Sequence, residues 1–215
     1  MNVFFRISSL LITAVVLTST VGAQTATRNH KVLYVERTIN APAERVWQAL
    51  AGDYGEISNF SPSIFTSSYE NGSLQGAEGA ERICAFNASG SRWTHEQIRS
   101  FDPENMTMSN VVLEAGKFPL DTENAFAIYQ VRDNGDGTST ASYEFHFRTK
   151  PAFMAGLAKG SFKRLLNETL IGLEHYLTTG EIVNGKSDNW RAVRRAYKDR
   201  GAYRDFVFHW EAVKV

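Results

Sequence analysis

Two charged residues on neighbouring predicted strands are the side chains best placed to do chemistry. In the segment GAERICAFNASGSRWTHEQIRSF (residues 79–101), two strand-like stretches flank a short turn that contains a glycine. Pairing the stretches about Ser89 places Arg82 opposite Glu96 on one face of the sheet. An arginine and a carboxylate in this relation form an ion pair that can keep spare hydrogen-bonding capacity for a hydroxyl or carbonyl group of a ligand.

The value of this pair depends on whether its face of the sheet is buried. In water the pair would contribute well under about 1 kcal/mol and would carry no functional meaning. The alternation allows either location, because Ile83, Ala85 and Trp93 on the opposite face are also apolar. The interpretation adopted here places Arg82 and Glu96 inside, as the polar groups of a cavity.

The surrounding chain predicts one strand, two short helices, six further strands and one long helix. β-branched residues and turn dipeptides such as Asn-Gly and Asp-Gly mark the strands. An apolar stripe that follows Asn40, the candidate cap, marks the first short helix, and Pro62 ends the second. The predicted strands cover residues 31–39, 65–70, 81–86, 92–101, 106–113, 123–132 and 138–149.

The long helix has the strongest periodicity in the chain. After Pro151, apolar residues recur every three or four positions through about seven turns, and Gly180 supplies the helix end. Such a helix has one broad apolar face that must lie on another layer. The short connections between strands make the sheet antiparallel. The predicted fold class is therefore α+β, with a curved antiparallel sheet of about seven strands and the long helix on its concave face.

Four segments of the chain, in this order, resemble the helix-grip superfamily, also called SRPBCC or START-like. They are RTINAPAERVWQALAGDYGEISNFSPSI (37–64), GAEGAERICAF (76–86), HEQIRSFDPEN (95–105) and the long helix. Similar proteins include START lipid-transfer domains, birch-pollen-allergen-like proteins, plant abscisic-acid receptors and bacterial polyketide cyclase/dehydrase-like proteins. The resemblance covers residues 31–182 and implies a helix-grip domain with an elongated, mostly apolar cavity between helix and sheet.

The cavity implied by this resemblance provides a candidate ligand site. Strand alternation assigns the inner positions of the sheet, and Phe162 and Leu166 form the wall on the helix. The candidate ligand-binding residues are Arg82, Cys84, Thr94, Glu96, Ile98, Phe126, Ile128, Tyr143, Phe162 and Leu166. Glu144, His146 and Arg148 are expected to face solvent.

The resemblance to the plant hormone receptors bears on Glu96. Those receptors carry a glutamate on a cavity strand that meets polar groups of the ligand through water, and Glu96 falls at the corresponding place without a gap. They also carry a lysine in the segment aligned with EISNF, where this chain has Ser58. The carboxylate of the plant hormone would lack its counter-ion here, so we do not expect that ligand.

Catalysis in the same cavity is a second hypothesis. General acid/base work by Glu96, with Tyr143 as proton donor, would resemble what polyketide cyclases do. A nucleophilic role for Cys84 is not expected, because no histidine lies in register with it. His95 is expected to point to the face opposite Glu96. No catalytic residue is assigned on this basis.

The N-terminus matches a secretory signal peptide. Residues 1–23 combine a positive charge in MNVFFR, an uncharged apolar stretch and small residues that end at Ala23. The apolar stretch is short for a membrane span and contains several Ser and Thr. We expect cleavage after Ala23 and a periplasmic or secreted protein. Cys84 is the single cysteine, so the chain cannot form an internal disulfide in that oxidising compartment.

The C-terminal residues 185–215 depart from the family pattern. They hold eight Lys or Arg against four Asp or Glu, interleaved with six aromatic residues, and residues 189–200 predict an amphipathic helix. This basic aromatic extension could make a weak contact with an anionic membrane surface or a partner protein. Packing of the aromatic residues back on the domain is favoured, because aromatic residues this dense are seldom left exposed.

Composition narrows the function further. Lys plus Arg and Asp plus Glu number 23 each, so the chain lacks the basic surplus that a nucleic-acid partner requires. The five histidines are scattered, so neither a metal site nor a cofactor is predicted. The expected function is binding of a small hydrophobic or amphipathic ligand by an exported protein. The alternatives are a polyketide cyclase-like enzyme and a periplasmic accessory protein that acts through its C-terminal extension.

Overall fold

A computed structural model of the chain describes residues 31–212. The predicted signal peptide lies outside this range. The strands are β1 (Lys31–Ile39), β2 (Thr66–Glu70), β3 (Glu81–Ala85), β4 (Trp93–Asp102), β5 (Thr107–Gly116), β6 (Phe126–Asp133), β7 (Ser139–Phe147) and β8 (Val207–Ala212). The helices are α1 (Ala43–Trp47), which continues as a π-helical turn (Gln48–Gly52), a 3₁₀ helix (Tyr54–Asn59), α2 (Met154–Thr179) and α3 (Trp190–Asp199).

The strands form one antiparallel sheet in the order β2-β3-β4-β5-β6-β7-β1-β8. The α+β helix-grip prediction is confirmed: the short helices follow β1 and the long helix α2 lies against the sheet. The sheet has eight strands, because the C-terminal extension adds β8 beside β1. Local patterning did not reveal this strand, since its partner lies at the other end of the chain.

The first short helix begins later than predicted. Asn40 is not its cap: Pro42 occupies the cap position, and no side chain caps the helix. The Pro42 carbonyl oxygen accepts the backbone N–H groups of Arg45 and Val46 at 3.1 and 3.2 Å, so helical hydrogen bonding starts there. Proline has a φ angle suited to a helix start and no N–H group to leave unsatisfied.

Helix α2 is held tightly at one end only. Its residues from Asn167 to Leu173 are all buried, and a Cβ atom on Gly172 would lie 2.1 Å from the carbonyl oxygen of Phe60. Glycine is therefore required there for the close approach of helix and loop. Toward its N-terminus, α2 is largely half-buried or exposed.

The C-terminal extension packs against α2 and the edge of the sheet. Val193 and Tyr197 of α3 are buried against Ile171 and Val183. Arg37, a buried residue on β1, donates to the backbone carbonyl oxygens of Ala202 at 2.8 Å and Asp205 at 3.0 Å.

Two contacts from α2 complete the attachment of the extension. Asn167 donates through Nδ2 to the Tyr203 carbonyl oxygen at 3.0 Å, and the Tyr203 hydroxyl donates to Glu168 at 2.7 Å. The aromatic residues of β8 pack partly buried against the main core. In the part of the chain that the structure describes, the extension is integrated with the rest of the fold.

Candidate ligand-binding cavity

A cavity of about 110 Å³ lies between the sheet and α2. Its walls are mostly aliphatic and aromatic, with a polar group at the β3–β4 side. The lining residues are Ile57, Ser61, Ile64, Arg82, Phe86, Thr94, Glu96, Asn110, Val112, Phe118, Leu120, Ala127, Tyr129, Tyr143, Phe145, Phe162, Leu165, Leu166 and Thr169. Ser61 and Thr169, which also line the cavity, bond to each other through their hydroxyls at 2.8 Å.

Arg82 and Glu96 form the polar end of the cavity. The register inferred from the turn is confirmed, since Arg82 pairs with Glu96 and Cys84 with Thr94 across β3 and β4. The guanidinium nitrogen of Arg82 lies 2.7 Å from Glu96 Oε2, and the two side chains are only 2 % and 12 % exposed. The pair therefore occupies the buried face rather than the wet one, and each charge depends on the other for compensation.

The Glu96 carboxylate is fixed by four donated hydrogen bonds. Oε2 accepts Nε and an Nη atom of Arg82 at 3.0 and 2.7 Å, and Nδ2 of Asn110 at 2.9 Å. Oε1 accepts the Thr94 hydroxyl at 2.7 Å. Three donors crowd Oε2, whereas Oε1 accepts one within residues 31–212, so Oε1 keeps an open acceptor position. Glu96 can still accept one donor from a guest molecule.

Arg82 has little capacity left for a ligand. Besides its two bonds to Glu96, it donates to the Tyr54 carbonyl oxygen at 2.9 Å and to the Tyr129 hydroxyl at 3.4 Å. Its guanidinium carbon lies 3.9 Å from the centre of the Tyr54 ring, a cation–π contact. Four of its five N–H donors are thus engaged within the protein, and its charge is compensated by Glu96.

Two tyrosine hydroxyls stand near this pair. Burial, opposed in part by Arg82, raises the pKa of Tyr129 to about 12. Burial also raises the pKa of Tyr143 well above its ordinary value, so both phenols keep their protons at neutral pH. The Tyr143 hydroxyl is buried and has no hydrogen-bond partner among residues 31–212. An unpaired buried hydroxyl costs free energy, and a ligand oxygen could accept a hydrogen bond from it.

Of the ten candidate residues, six line the cavity, two are buried elsewhere and two lie on the outer face of the sheet. Arg82, Thr94, Glu96, Tyr143, Phe162 and Leu166 line the cavity. Cys84 and Ile98 are buried in the core without lining the cavity. That any of the ten binds a ligand stays a prediction.

The inward orientation expected for Phe126 and Ile128 is wrong. In the β6–β7 hairpin, Phe126 lies opposite His146 and Ile128 opposite Glu144, on the outer face of the sheet. The Phe126 ring stacks on His146 with centroids 4.1 Å apart. The residues on both faces of β6 are apolar at the start of the strand. The prediction assigned the bulkier pair, Phe126 and Ile128, to the inner face and so shifted the strand by one residue.

The sequence analysis missed Tyr129 and Ala127, which occupy the inner positions of β6. They pair with Tyr143 and Phe145, which do lie on the inner face. A usable signal was present: the DNGDGTS turn pairs Asp133 with Ser139, and counting outward from it reaches Tyr129 opposite Tyr143. Asn110 was also missed, because a lone polar residue in an apolar strand gives no sign of its partner.

Neither Cys84 nor His95 adds reactive chemistry to this cavity. Burial raises the pKa of the Cys84 thiol to about 12, partly offset by Arg82, so it stays protonated and unreactive at neutral pH. His95 lies on the outer face, where its Nε2 is 2.8 Å from Glu81 Oε2. Glu81 also accepts Gln97 Nε2 at 2.7 Å, so this cluster is closed on itself.

Residues 31–212 contain neither a cluster of metal ligands nor a helix that could span a membrane. No group of three or more His, Cys, Asp or Glu side chains in this range could hold a metal ion. None of the described helices combines the length and apolar character needed to cross a bilayer.

Solved structures share this fold at low sequence identity. The crystal structure of Ara h 8.0201 is 18 % identical, covers 70 % of this chain and 99 % of its own, and has a TM-score of 0.58. A solution structure from Thermobifida fusca is 20 % identical, covers 70 % and 96 %, and has a TM-score of 0.56. XoxI from Bacillus cereus is 19 % identical, covers 69 % and 96 %, and has a TM-score of 0.54. These similarities establish the fold alone.

Family membership rests on a more direct match. A search among curated proteins finds no significant match. Residues 30–178, however, match the family described as polyketide cyclase / dehydrase and lipid transport. That range contains the first strand, the cavity strands and nearly all of α2. The chain therefore belongs to the polyketide cyclase/dehydrase and lipid transport family of the SRPBCC, or START-like, superfamily.

Proposed function

We propose that this protein binds a small, uncharged, amphipathic molecule between its sheet and α2. The observation that carries the proposal is the composition of the cavity: an apolar space whose one polar end offers an acceptor on Glu96 and a buried, unpaired hydroxyl on Tyr143. Ligand cavities commonly combine apolar walls with a few polar groups that orient the guest. A hydroxyl on an otherwise apolar ligand could donate to Glu96 and accept from Tyr143, whereas a carbonyl could accept from Tyr143 only.

Charge balance supports an uncharged ligand. Among residues 31–212, Arg82 and Glu96 are the only charged residues that line the cavity, and they compensate each other. A carboxylate ligand would have to compete with Glu96 for Arg82, and burying an uncompensated charge is expensive. Ser58 also stands where the plant hormone receptors carry a lysine, so a carboxylate ligand would lack that counter-ion here.

The size of the cavity limits the ligand. An engineered protein cavity of about 150 Å³ accepts benzene, so a space of about 110 Å³ suits a molecule of roughly one ring. A longer molecule would need the first half of α2 or the segment that carries Phe118 and Leu120 to move outward. The half-buried state of these parts makes such movement less costly than movement of the buried segment 167–173 of α2.

Binding is better supported than acid/base catalysis. Four donors hold the Glu96 carboxylate in place, so most of its hydrogen-bonding capacity is already used within the protein. The raised pKa of Tyr143 makes that phenol a reluctant proton donor. A cyclase acting through these groups would lose turnover in Glu96→Gln, and this loss would favour the enzymatic alternative over binding alone.

Replacing Tyr143 by phenylalanine tests the polar end of the site. We expect affinity for ligands that bear a hydroxyl or carbonyl to fall about five- to tenfold, the loss of one hydrogen bond. Affinity for a purely apolar probe of the same size should stay unchanged, because the ring remains. Isothermal titration with a panel of matched alcohols, ketones and hydrocarbons measures both.

Tyr34→Phe is the matched control for this substitution. Tyr34 is another tyrosine of the sheet, but its hydroxyl donates to Glu36 and it does not line the cavity. Its replacement should leave every affinity unchanged. Equal losses in the two variants, or no binding of any panel member by the wild-type protein, would refute the proposed site.

We also propose that the protein acts outside the cytoplasm. The support is the pattern of residues 1–23, which has the charge, apolar stretch and small residues of a cleaved signal peptide. Intact mass measurement of the protein from its own cells is expected to give a chain that begins at Gln24. A mass that includes residues 1–23 would contradict cleavage.

A further inference from the structure

A second cleft, separate from the central cavity, lies where the C-terminal extension meets the outer side of α2. It has a volume of about 480 Å³. Lys163 and Arg164 of α2 and Arg204 of the extension border it, and Phe206 and Phe208 form an aromatic wall. The residues from 203 onward lie outside the range matched by the family, so this cleft is a feature of the extension.

The charges of this cleft are not compensated within the described part of the chain. None of Lys163, Arg164 and Arg204 forms an ion pair with any residue in the range 31–212. Lys163 instead lies over the rings of Phe208 and Phe206, at 4.3 and 5.3 Å from their centres. Three cations around one concavity, with no carboxylate among its lining residues, favour an anionic occupant.

A buried acceptor at the floor of the cleft adds a second requirement. Asn167 lines the cleft and is 2 % exposed, and its Nδ2 is used to hold the Tyr203 carbonyl oxygen. Its Oδ1 is buried without a hydrogen-bond partner in the described chain. A buried carbonyl oxygen normally has a donor. An occupant that carries a hydroxyl beside its negative charge would supply that donor.

Exposed apolar residues continue the cleft along α2. Phe153 and Leu157 are 73 % and 74 % exposed, among the most exposed large apolar side chains of the described chain. With Gly160 and Arg164 they follow the three-to-four spacing that places residues on one helix face. This stripe runs for about 16 Å along the helix. An apolar stretch that leads into a basic cleft is the arrangement expected at a bilayer surface, where acyl chains and anionic headgroups lie side by side.

We propose that this face docks on anionic phospholipid membranes. The cleft takes a phosphate headgroup that bears a hydroxyl, and Phe153 and Leu157 enter the acyl region beside it. The three cations meet the phosphate, and Asn167 Oδ1 accepts the headgroup hydroxyl. The aromatic residues of the extension do not insert, because they are partly buried against the core.

Vesicle co-sedimentation of residues 24–215, the chain that remains after the proposed cleavage, tests this docking. The probes are vesicles of phosphatidylcholine alone and of phosphatidylcholine mixed equally with phosphatidylglycerol. We expect binding only to the mixed vesicles, weakened by salt. The variant Arg164→Gln/Arg204→Gln should reduce that binding at least tenfold, because each basic residue near an anionic surface contributes about 1 kcal/mol. Phe153→Ser/Leu157→Ser should reduce it as well.

The matched control removes two charges elsewhere on the extension. Arg191 and Arg195 of α3 are equally exposed and do not line the cleft. Arg191→Gln/Arg195→Gln should bind mixed vesicles nearly as well as the wild type. Equal losses in both double variants would show a non-specific charge effect and overturn the proposal, as would a failure of the wild-type protein to sediment.

Two further measurements distinguish membrane docking from a soluble anion site and from ligand binding in the central cavity. Saturable binding of monomeric dihexanoyl phosphatidylglycerol, with no binding to mixed vesicles, would show a soluble anion site and overturn membrane docking. Tyr143→Phe should leave vesicle binding unchanged, because Tyr143 lies in the central cavity. Docking and cavity binding can therefore fail independently.

Discussion

Deletion of residues 185–215 is expected to leave a chain that is largely unfolded at room temperature. The deletion removes the carbonyl oxygens of Ala202 and Asp205 that accept from Arg37, a side chain only 4 % exposed. Only Glu174 remains near it, at 3.7 Å. Removing the partners of a buried charge costs about 3–5 kcal/mol. The loss of the buried side chains of α3 adds to this, against a total stability of about 5–15 kcal/mol for a typical domain.

Urea unfolding followed by circular dichroism measures this effect. Adding Arg37→Leu to the deletion should recover part of the lost stability, because the charge that lacks partners is then absent. In the full-length chain the same substitution should cost stability instead. A truncated chain that unfolds at the same urea concentration as the full chain would show that residues 31–182 fold independently of the extension.

Substitution of Arg82 by methionine is expected to destabilise the protein by about 3–5 kcal/mol. Glu96 would stay in the cavity at 12 % exposure, with only Asn110 and Thr94 as donors. The double variant Arg82→Met/Glu96→Gln should be more stable than Arg82→Met alone, because no buried charge remains. With the single variant Glu96→Gln measured as well, these values give the coupling energy of the pair.

The same urea unfolding experiments, arranged as a double-mutant cycle, provide the measurement. Arg132 and Glu36 serve as the comparison pair, since their nitrogen–oxygen distance is also 2.7 Å but their side chains are 46 % and 23 % exposed. Their coupling should stay at or below about 1 kcal/mol. If the coupling of Arg82 and Glu96 were equally small, the pair would be solvated and the polar end of the cavity would lose its basis.

Most of the fold could be predicted because its signals are local. The periodicity of α2, the turn glycines and the alternation in β3 and β4 each depend on neighbouring residues. The turn around Ser89 fixed the register that brings Arg82 to Glu96. In β6 the alternation had no preferred face, since Phe126 and Ile128 are as apolar as the inner residues, and there only the turn could have settled the register.

The site could be predicted less completely than the fold. Arg82 has few N–H donors left because it donates to the Tyr54 carbonyl oxygen and the Tyr129 hydroxyl. Both groups come from segments distant in sequence. The unpaired Tyr143 hydroxyl depends on three-dimensional packing. Strand β8 pairs with β1 across nearly the whole chain. No pattern within one segment specifies contacts of this kind.

The position of β1 has a consequence for when this protein can fold. Lys31 lies opposite Phe147 on one side and opposite Ala212 on the other, so the first described strand is flanked by partners made much later. Contacts between residues so far apart in sequence form slowly, because a long loop must close first. The sheet therefore cannot be completed until residues 207–212 have left the ribosome.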